Sequence, residues 1–215
     1  MNIKNILFDM GGIIFRQNTD KAIKRFAAMG LDTDEYIGQF GQKGFMLDCE
    51  LGNISKPEFC REFAQACGKP AISHDETLHC WLGFIDDVPA DRLETLERLR
   101  KDYTLGLASN TNPFVLEFMD SPAISEYGKP ISAYFDHMFC SCYMHLYKPS
   151  EEFFRYIIDT GGLKADETLF IDDSKANLEG AAKLGIHTLH IPSNQNWIPI
   201  LSDWLKSHKL PDPLG

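Results

Sequence analysis

A short apolar segment that ends at a carboxylate constrains the fold of this chain more than any other feature. Residues 3–8 are mainly apolar, Asp9 follows them directly, and Gly11 and Gly12 come next. An apolar run of this length is typical of a buried strand and is too short for a typical helix. Because glycines let the backbone turn tightly, the turn after Asp9 can bring amides and carbonyls close to a bound ion or ligand. We therefore predict a strand whose carboxyl end carries Asp9.

The same arrangement returns late in the chain. Residues 168–171 form a second apolar run, and Asp172 and Asp173 follow it. If both runs are strands of one parallel sheet, three carboxylates meet at one edge. Two like charges about 4 Å apart repel by roughly 4 kcal/mol at an effective dielectric near 20, so either a pKa rises or a cation binds. Oxygen ligands of this kind suit Mg²⁺.

The second half of the chain alternates between helical and strand patterns. This alternation predicts an α/β fold with a parallel sheet that is covered on both faces. Ligands of such sheets bind beyond the carboxyl ends of the strands, where Ser109 also falls. The predicted strands after the first are residues 104–108, 137–140, 168–171 and 188–191.

The stretch after the first strand has helical patterns instead. Ser55 is expected to be the N-cap of a helix with Pro57 in its first turn. A further amphipathic segment covers about residues 74–84, and no strand is expected between residues 16 and 88. Residues 120–133 are expected to form a long surface loop, because they contain two prolines and a glycine.

These patterns predict two domains. Residues 1–15 and 89–215 would form the α/β core, and residues 16–88 would form a small helical cap over the crevice.

Charge and cysteine content limit the partners and the compartment. The chain has 31 acidic and 21 basic residues and a formal charge of −10, which argues against nucleic acid and an anionic membrane surface as partners. No secretory pattern and no bilayer-spanning apolar run is found, so a cytoplasmic location is expected. The six cysteines are expected to be reduced thiols. The sequence leaves the oligomeric state unknown.

Four segments resemble the ordered motifs of the haloacid-dehalogenase (HAD) superfamily, in particular its bacterial sugar-phosphatase-like members. Any one of them is weak evidence, but their order over residues 8–181 is specific. The resemblance implies a Rossmann-like core with a helical cap, Mg²⁺ as cofactor, and phosphatase activity on a small phosphorylated metabolite such as a sugar phosphate. The four segments are Phe-Asp-Met-Gly-Gly at 8–12, Leu-Ala-Ser-Asn-Thr-Asn at 107–112, Tyr-Lys-Pro at 147–149 and Phe-Ile-Asp-Asp-Ser-Lys-Ala-Asn-Leu-Glu-Gly-Ala at 170–181.

The resemblance also implies a nucleophile and a set of metal ligands. Asp9 would attack phosphorus to give an aspartyl phosphate, which water then hydrolyses. The metal ligands would be one oxygen of Asp9, the main-chain carbonyl of Gly11 and the side chain of Asp173. Asp172 would lie beside them and act partly through water.

Other residues would bind the phosphoryl group. The ammonium of Lys148 and the hydroxyl of Ser109 would stabilise the charge that develops on its oxygens. The backbone amides of Met10, Gly11 and Asn110 would hold the same oxygens. Two interpretations of Asn177 stay open: it steadies Lys148 or the metal waters, or it only begins a helix turn.

Gly11 departs from the pattern of the superfamily. Typical phosphatases of this group have an aspartate two residues after the nucleophile, which protonates the leaving oxygen and later activates water. Loss of such a proton donor typically costs about 10² to 10⁴ in rate. One hypothesis is a preference for good leaving groups, such as anomeric sugar phosphates or acyl phosphates. Another is that His145 replaces the missing acid.

Two other functions are compatible with the motifs. A metal-independent haloacid dehalogenase would also use Asp9 as nucleophile, although the acidic pair Asp172 and Asp173 speaks against it. A catalytically weak phosphate-binding or regulatory protein would retain Asp9, Ser109 and Lys148 without turnover.

Overall fold

The computed structural model describes residues 2–38 and 41–214, so residues 39 and 40 of the predicted cap lie outside the described part. The strands within it are β1 (Asn5–Phe8), β2 (Arg16–Gln17), β3 (Ile37–Gly38), β4 (Gly41–Gln42), β5 (Ile85–Asp87), β6 (Thr104–Ser109), β7 (His137–Cys140), β8 (Thr168–Asp172) and β9 (His187–His190). The helices are α1 (Thr19–Met29), α2 (Thr33–Tyr36), α3 (Phe45–Glu50), α4 (Lys56–Ala66), α5 (His74–Trp81), α6 (Ala90–Leu99), α7 (Pro113–Met119), α8 (Ser141–Met144), α9 (Glu151–Gly161), α10 (Lys175–Ala182) and α11 (Ile198–Ser207).

Five parallel strands form one sheet in the order β7-β6-β1-β8-β9. The strand β1 is central, and Phe8 is in register with Leu107 of β6 and with Ile171 of β8. The carboxyl ends of these three strands therefore lie at one edge, and the strand order changes direction at β1. This arrangement confirms the predicted α/β class and brings the polar residues after the strands together.

Helices cover both faces of this sheet. Phe8 points to the face where Trp197 packs against it, with 5.1 Å between the ring centroids. Leu7 points to the opposite face, where it belongs to a separate buried cluster with Phe153 of α9 and Leu178 of α10. The continuous apolar pattern of β1 is thus explained by burial on both faces.

The helices α1, α4 and α5 share an aromatic cluster. Phe26, Phe59, Phe63 and Trp81 are buried, with ring centroids 5.3 to 6.0 Å apart. Phe59 also contacts Phe114 of α7 at 5.4 Å, so this cluster is continuous with the core near the sheet. The division of the chain at residues 16 and 89 remains a prediction.

The helix starts in this region follow from local hydrogen bonds. Ser55 caps α4, and its side chain accepts from the Glu58 backbone N–H while the Glu58 carboxylate accepts from the Ser55 backbone, which is a capping box. Ser73 and Glu76 form the same arrangement at α5. The predicted N-cap at Ser55 is therefore confirmed.

The prediction that no strand lies between residues 16 and 88 is wrong. The strands β2 and β5 pair antiparallel, with Arg16 opposite Asp87, where the chain leaves and rejoins the core. The strands β3 and β4 form a second antiparallel pair. Each has only two or three residues, and this is too short to leave an alternating pattern in the sequence.

Residues 120–133 form an irregular and mostly exposed segment, in agreement with the predicted surface loop. Two 3₁₀ turns, Pro122–Ile124 and Ile131–Tyr134, lie in and beside this segment. Ile124 and Ile131 are buried, so the segment is anchored to the core by side chains.

No helix among the described residues is long and apolar enough to cross a membrane. All six cysteines are free thiols, as expected.

Candidate active site

The turn after β1 fixes the position of Asp9. The backbone N–H of Asp9 donates to the carbonyl of Ile171 at 2.9 Å, which continues the pairing of β1 with β8. Gly12 has φ +73, and a Cβ on it would lie 2.6 Å from Oδ2 of Asp173 and 2.3 Å from Oγ of Ser193. Only glycine fits here without displacing an acidic side chain, which explains the second glycine of the first motif.

Three carboxylates converge at this edge. Asp9, Asp172 and Asp173 each offer one oxygen, and these oxygens lie within 4.8 Å of one another. Burial raises the pKa of Asp9 to about 7, although Lys148 opposes the rise, and burial also raises the pKa of Asp173. The cost of ionising this group of oxygens is what a divalent cation would remove, so the donor set fits Mg²⁺.

Lys148 lies between two of these acids. Its Nζ donates to Oδ1 of Asp9 at 2.9 Å and to Oδ2 of Asp172 at 2.7 Å, and the residue is 2% exposed. Burial would lower the pKa of Lys148, but the two carboxylates outweigh burial and raise it. The ammonium is therefore a fixed positive charge beside Asp9.

Asn110 fixes the backbone of Lys148. Its side-chain Nδ2 donates to the Lys148 carbonyl at 3.0 Å, and its Oδ1 accepts from the Lys148 N–H at 2.8 Å. The two hydrogen bonds between Asn110 and Lys148 join the end of β6 to the segment after α8. Ser109, the last residue of β6, is 1% exposed.

Asn177 acts on Asp172. Its Nδ2 lies 3.1 Å from both carboxylate oxygens of Asp172, and the Ser174 N–H donates to Oδ1 at 2.7 Å. Asp172 is fully buried, and its carboxylate orients Lys148 by accepting a hydrogen bond from its ammonium. Asn177 thus touches Lys148 only through Asp172, which is one of the two interpretations that the sequence left open.

A cavity opens over Asp9 and is called the Asp9 cavity below. Asp173 borders a larger outer cavity that shares several of the same residues, including Lys148 and Asn177. The Asp9 cavity is lined by Asp9, Met10, Gly11, Phe15, Gln17, Gln42, Glu50, Trp81, Phe84, Ser109, Asn110, Thr111, Asn112, Val115, Lys148 and Asn177.

The structure brings the predicted site residues together. Asp9, Met10, Gly11, Ser109, Asn110 and Lys148 line the Asp9 cavity. His145 does not border this cavity in the described structure, and its Nδ1 lies 2.8 Å from the carbonyl of Leu51.

Sequence reasoning missed Glu50, Gln17 and Tyr147. Oη of Tyr147 donates to Oε2 of Glu50 at 2.6 Å, and Glu50 lines the same cavity as Asp9. A Cβ on Gly11 would lie 2.8 Å from Oε1 of Gln17, so the Gln17 side chain fills the space beside Gly11. Glu50 and Gln17 lie in the predicted cap, where no local pattern separates them from other polar residues.

The parallel sheet, the helices on both of its faces and the carboxylates at its edge define a Rossmann-like α/β protein with a candidate metal site. A family model described as haloacid dehalogenase-like hydrolase matches residues 3–185. The chain is 36% identical over 196 residues to the D-ribitol-5-phosphate phosphatase of Bacteroides thetaiotaomicron, covering 91% of this chain and 95% of that protein. The chain therefore belongs to the haloacid dehalogenase-like hydrolase family.

Solved structures agree with this membership. A predicted HAD-like hydrolase from Porphyromonas gingivalis is 38% identical with a TM-score of 0.91, covering 96% of this chain and 99% of that one. A HAD family enzyme from Bacteroides thetaiotaomicron, a mutant solved with magnesium and inorganic phosphate, is 29% identical with a TM-score of 0.87, covering 93% and 99%.

Proposed function

We propose that this hydrolase is a Mg²⁺-dependent phosphatase that cleaves the phosphate ester of a small metabolite with Asp9 as nucleophile. One observation carries the proposal: Asp9 lines a cavity, its Oδ1 lies 2.9 Å from Nζ of Lys148, and it offers an oxygen within 4.8 Å of oxygens of Asp172 and Asp173. A phosphoryl group is negatively charged. The Lys148 ammonium and a divalent cation held by the carboxylates would both attract it. The phosphatase among the relatives and the magnesium and phosphate complex of a structural neighbour support the same activity.

The roles of the residues follow from their positions. One oxygen of Asp9 attacks phosphorus, the ester bond breaks, and water then attacks the aspartyl phosphate and releases inorganic phosphate. Lys148 and the Ser109 hydroxyl stabilise the charge on the phosphoryl oxygens. The backbone amides of Met10, Gly11 and Asn110 donate to those same oxygens.

Three groups are suited to hold Mg²⁺. They are the second oxygen of Asp9, the carbonyl of Gly11 and the carboxylate of Asp173, with Asp172 behind them. When bound, the ion neutralises charge on the phosphoryl oxygens. The grouped acids also argue against the metal-independent dehalogenase, which has no use for them.

A hydroxylated leaving group fits the rest of the Asp9 cavity. Trp81 and Gln42 line it, and neither the Trp81 Nε1–H nor the Gln42 Oε1 has a hydrogen-bond partner within residues 2–38 and 41–214, although both atoms are buried. Buried polar atoms of this kind cost free energy unless a ligand satisfies them. A sugar or sugar-alcohol phosphate supplies the hydroxyls, in line with the D-ribitol-5-phosphate phosphatase among the relatives.

The same proposal places the enzyme in the cytoplasm. All six cysteines are free thiols, and a reducing compartment keeps thiols in that state.

The test is phosphate release from a panel of phosphorylated sugars and sugar alcohols, with p-nitrophenyl phosphate as a general probe. We expect turnover with Mg²⁺, loss of turnover with a chelator, and no turnover by Asp9→Asn. The exposed Asp159 on α9 provides a matched control, since Asp159→Asn removes the same charge far from the cavity. Binding of phosphate without turnover would indicate the regulatory alternative, and chloride release from a 2-haloacid would indicate the dehalogenase.

A further inference from the structure

A buried carboxyl group other than the metal-binding acids borders the Asp9 cavity. Glu50 is the last residue of α3 and is 7% exposed, and it lines both this cavity and the larger outer one. Burial of a carboxyl without a cationic partner is uncommon in proteins, and it marks a candidate for a functional role. Neither the family motifs nor the roles proposed above involve Glu50.

Several contacts fix the position of Glu50. Oγ of Ser141, at the start of α8, donates to its backbone carbonyl at 2.5 Å, and Oη of Tyr147 donates to its Oε2 at 2.6 Å. Gly52 packs so closely on α8 that a Cβ there would lie 2.0 Å from the carbonyl of Cys142. The end of α3 is therefore held against the segment that carries Lys148, and the hydrogen bond from Tyr147 holds the Glu50 carboxyl group at the cavity.

Only one oxygen of this carboxyl is engaged. Oε2 accepts from Tyr147, whereas Oε1 has no hydrogen-bond partner in the part of the chain that the structure describes. The position two residues after Asp9 is Gly11, which leaves the family's usual proton donor absent, and the neighbouring space holds the uncharged Gln17 side chain. The Asp9 cavity thus lacks a carboxyl at the usual position and has one, that of Glu50, at the end of α3.

We infer that Glu50 is the general acid and base of the phosphatase reaction, in place of the aspartate that Gly11 replaces. This inference rests on the proposed function. In the first step the Glu50 carboxyl gives its proton to the ester oxygen as the bond from phosphorus to that oxygen breaks and the bond from Asp9 to phosphorus forms. The products of this step are an alcohol, the aspartyl phosphate and the Glu50 carboxylate.

The second step restores the enzyme. The Glu50 carboxylate takes a proton from water as the water oxygen bonds to phosphorus, and the bond from phosphorus to Asp9 breaks. Inorganic phosphate leaves and Glu50 is again protonated, so the cycle needs no reactant other than the ester and water.

The surroundings of Glu50 suit this exchange. Burial raises its pKa to about 7, while the hydrogen bond from Tyr147 lowers it, so both protonation states are accessible near neutral pH. The titratable groups around it are the Tyr147 hydroxyl and the thiols of Cys49 and Cys142, and burial raises the pKa of each. These three groups stay neutral, and Lys148 is engaged by Asp9 and Asp172.

The histidines do not compete for this role. His145 bonds the carbonyl of Leu51, and Nε2 of His190 lies 3.1 Å from the carbonyl of Asp173. Neither lines the Asp9 cavity in the described structure. With Glu50 as acid, the enzyme has no need of an activated leaving group, and that preference is instead expected of a variant without the carboxyl.

The test compares two substrates in the presence of Mg²⁺. The p-nitrophenolate ion leaves without a proton, whereas the alkoxide of D-ribitol 5-phosphate, or of the alkyl phosphate turned over fastest in the panel, requires one. Glu50→Gln should lower kcat for the alkyl phosphate by about 10² to 10⁴. With p-nitrophenyl phosphate it should release about one equivalent of nitrophenolate rapidly and then turn over slowly, because only the second step still lacks its base. Glu62→Gln, at an exposed position of α4, should behave as wild type.

A second variant keeps the carboxyl in place. Tyr147→Phe removes the hydrogen bond that lowers the pKa of Glu50, so the alkaline limit of kcat for the alkyl phosphate should move to higher pH. An alkaline limit that does not move would overturn the role, as would a Glu50→Gln enzyme with kcat within about threefold of wild type or without a burst. If the wild-type chain hydrolyses no phosphate ester, the proposed function itself fails.

Discussion

Nζ of Lys148 lies 2.9 Å from Oδ1 of Asp9, although the two residues are separated by 139 positions in the sequence. The ammonium also reaches Asp172, and both of these residues are buried, whereas the Asp9 side chain is 14% exposed. A buried ion pair adds little stability by itself, but removal of one partner leaves an uncompensated charge. We therefore expect Lys148 to contribute both to the stability of the fold and to the chemistry of Asp9.

Replacement of Lys148 by methionine tests both effects. Lys148→Met should lower kcat/KM by about 10² to 10³, the usual loss for one preorganised donor. It should also lower the free energy of unfolding by about 3 to 5 kcal/mol, because Asp9 and Asp172 lose their counterion. Urea unfolding and steady-state kinetics measure the two effects, and Lys24→Met on the exposed side of α1 is the control. Wild-type kinetics in Lys148→Met would contradict the assignment.

Gly12 packs against Asp173, the proposed metal ligand. Gly12→Ala places a methyl group 2.6 Å from Oδ2 of Asp173 at a backbone φ of +73, so Asp173 must move. We expect a weaker affinity for Mg²⁺ and a loss of stability greater than the roughly 1 to 2 kcal/mol that a left-handed backbone costs alanine.

Gly68→Ala is the matched control for this prediction. Gly68 has φ +62, and no atom lies within 4 Å of the Cβ that alanine would add. The control therefore has the backbone strain without the contact. Mg²⁺ titration followed by calorimetry should separate the two variants, and equal affinities would show that Asp173 is not constrained by Gly12.

The sequence was sufficient to predict the edge of the sheet that holds the site. Asp9 directly follows β1, and Ser109 and Asp172 are the last residues of β6 and β8; these buried strands have four to six residues and leave a clear apolar pattern. Because parallel strands end at the same edge, their terminal side chains could be brought together without coordinates. The short strands β2 to β5 leave no such pattern.

Glu50 could not be predicted in this way. Its place in the Asp9 cavity depends on the hydrogen bond from Ser141, a residue 91 positions away, and on the packing of α3 against α8. Nothing in the local sequence around Glu50 distinguishes it from exposed acids such as Glu62. Tyr147 lies in the third motif, but the sequence does not show that its hydroxyl donates to Glu50.

Return of the missing aspartate tests whether Glu50 replaces it. Gly11 does not have a positive φ, and the nearest obstacle to a Cβ is the flexible end of Gln17, so Gly11→Asp is sterically feasible. In a Glu50→Gln background, Gly11→Asp should raise kcat for an alkyl phosphate at least about tenfold. A positioned acid typically contributes a factor of about 10² to 10⁴ to the rate. Steady-state kinetics measure the recovery, with Gly11→Ala in the same background as control. Equal activity of the two double variants would argue against replacement.

The raised pKa of Glu50 also predicts how stability depends on pH. Below the ordinary pKa of 4.5, the carboxyl is protonated in the folded and unfolded chains and contributes no difference. Between pH 4.5 and about pH 7 the unfolded chain loses this proton while the folded chain keeps it, so the wild-type protein loses stability as pH rises. Above about pH 7 this loss is complete, at about 3 kcal/mol. Glu50→Gln keeps the shape and the hydrogen bond from Tyr147 but does not titrate.

Urea unfolding of wild type and Glu50→Gln over this pH range measures the effect. The free energy of unfolding of the variant, relative to wild type, should rise with pH across the window and then level off. Glu58→Gln is the control, because the hydrogen bonds from Ser55 lower the pKa of Glu58 below its ordinary value of 4.5, so its difference from wild type should stay constant over this range. A difference between Glu50→Gln and wild type that stays constant with pH would mean that Glu50 titrates alike in both states. In that case the carboxyl is not held protonated by burial, and it could not supply a proton to the leaving group at neutral pH.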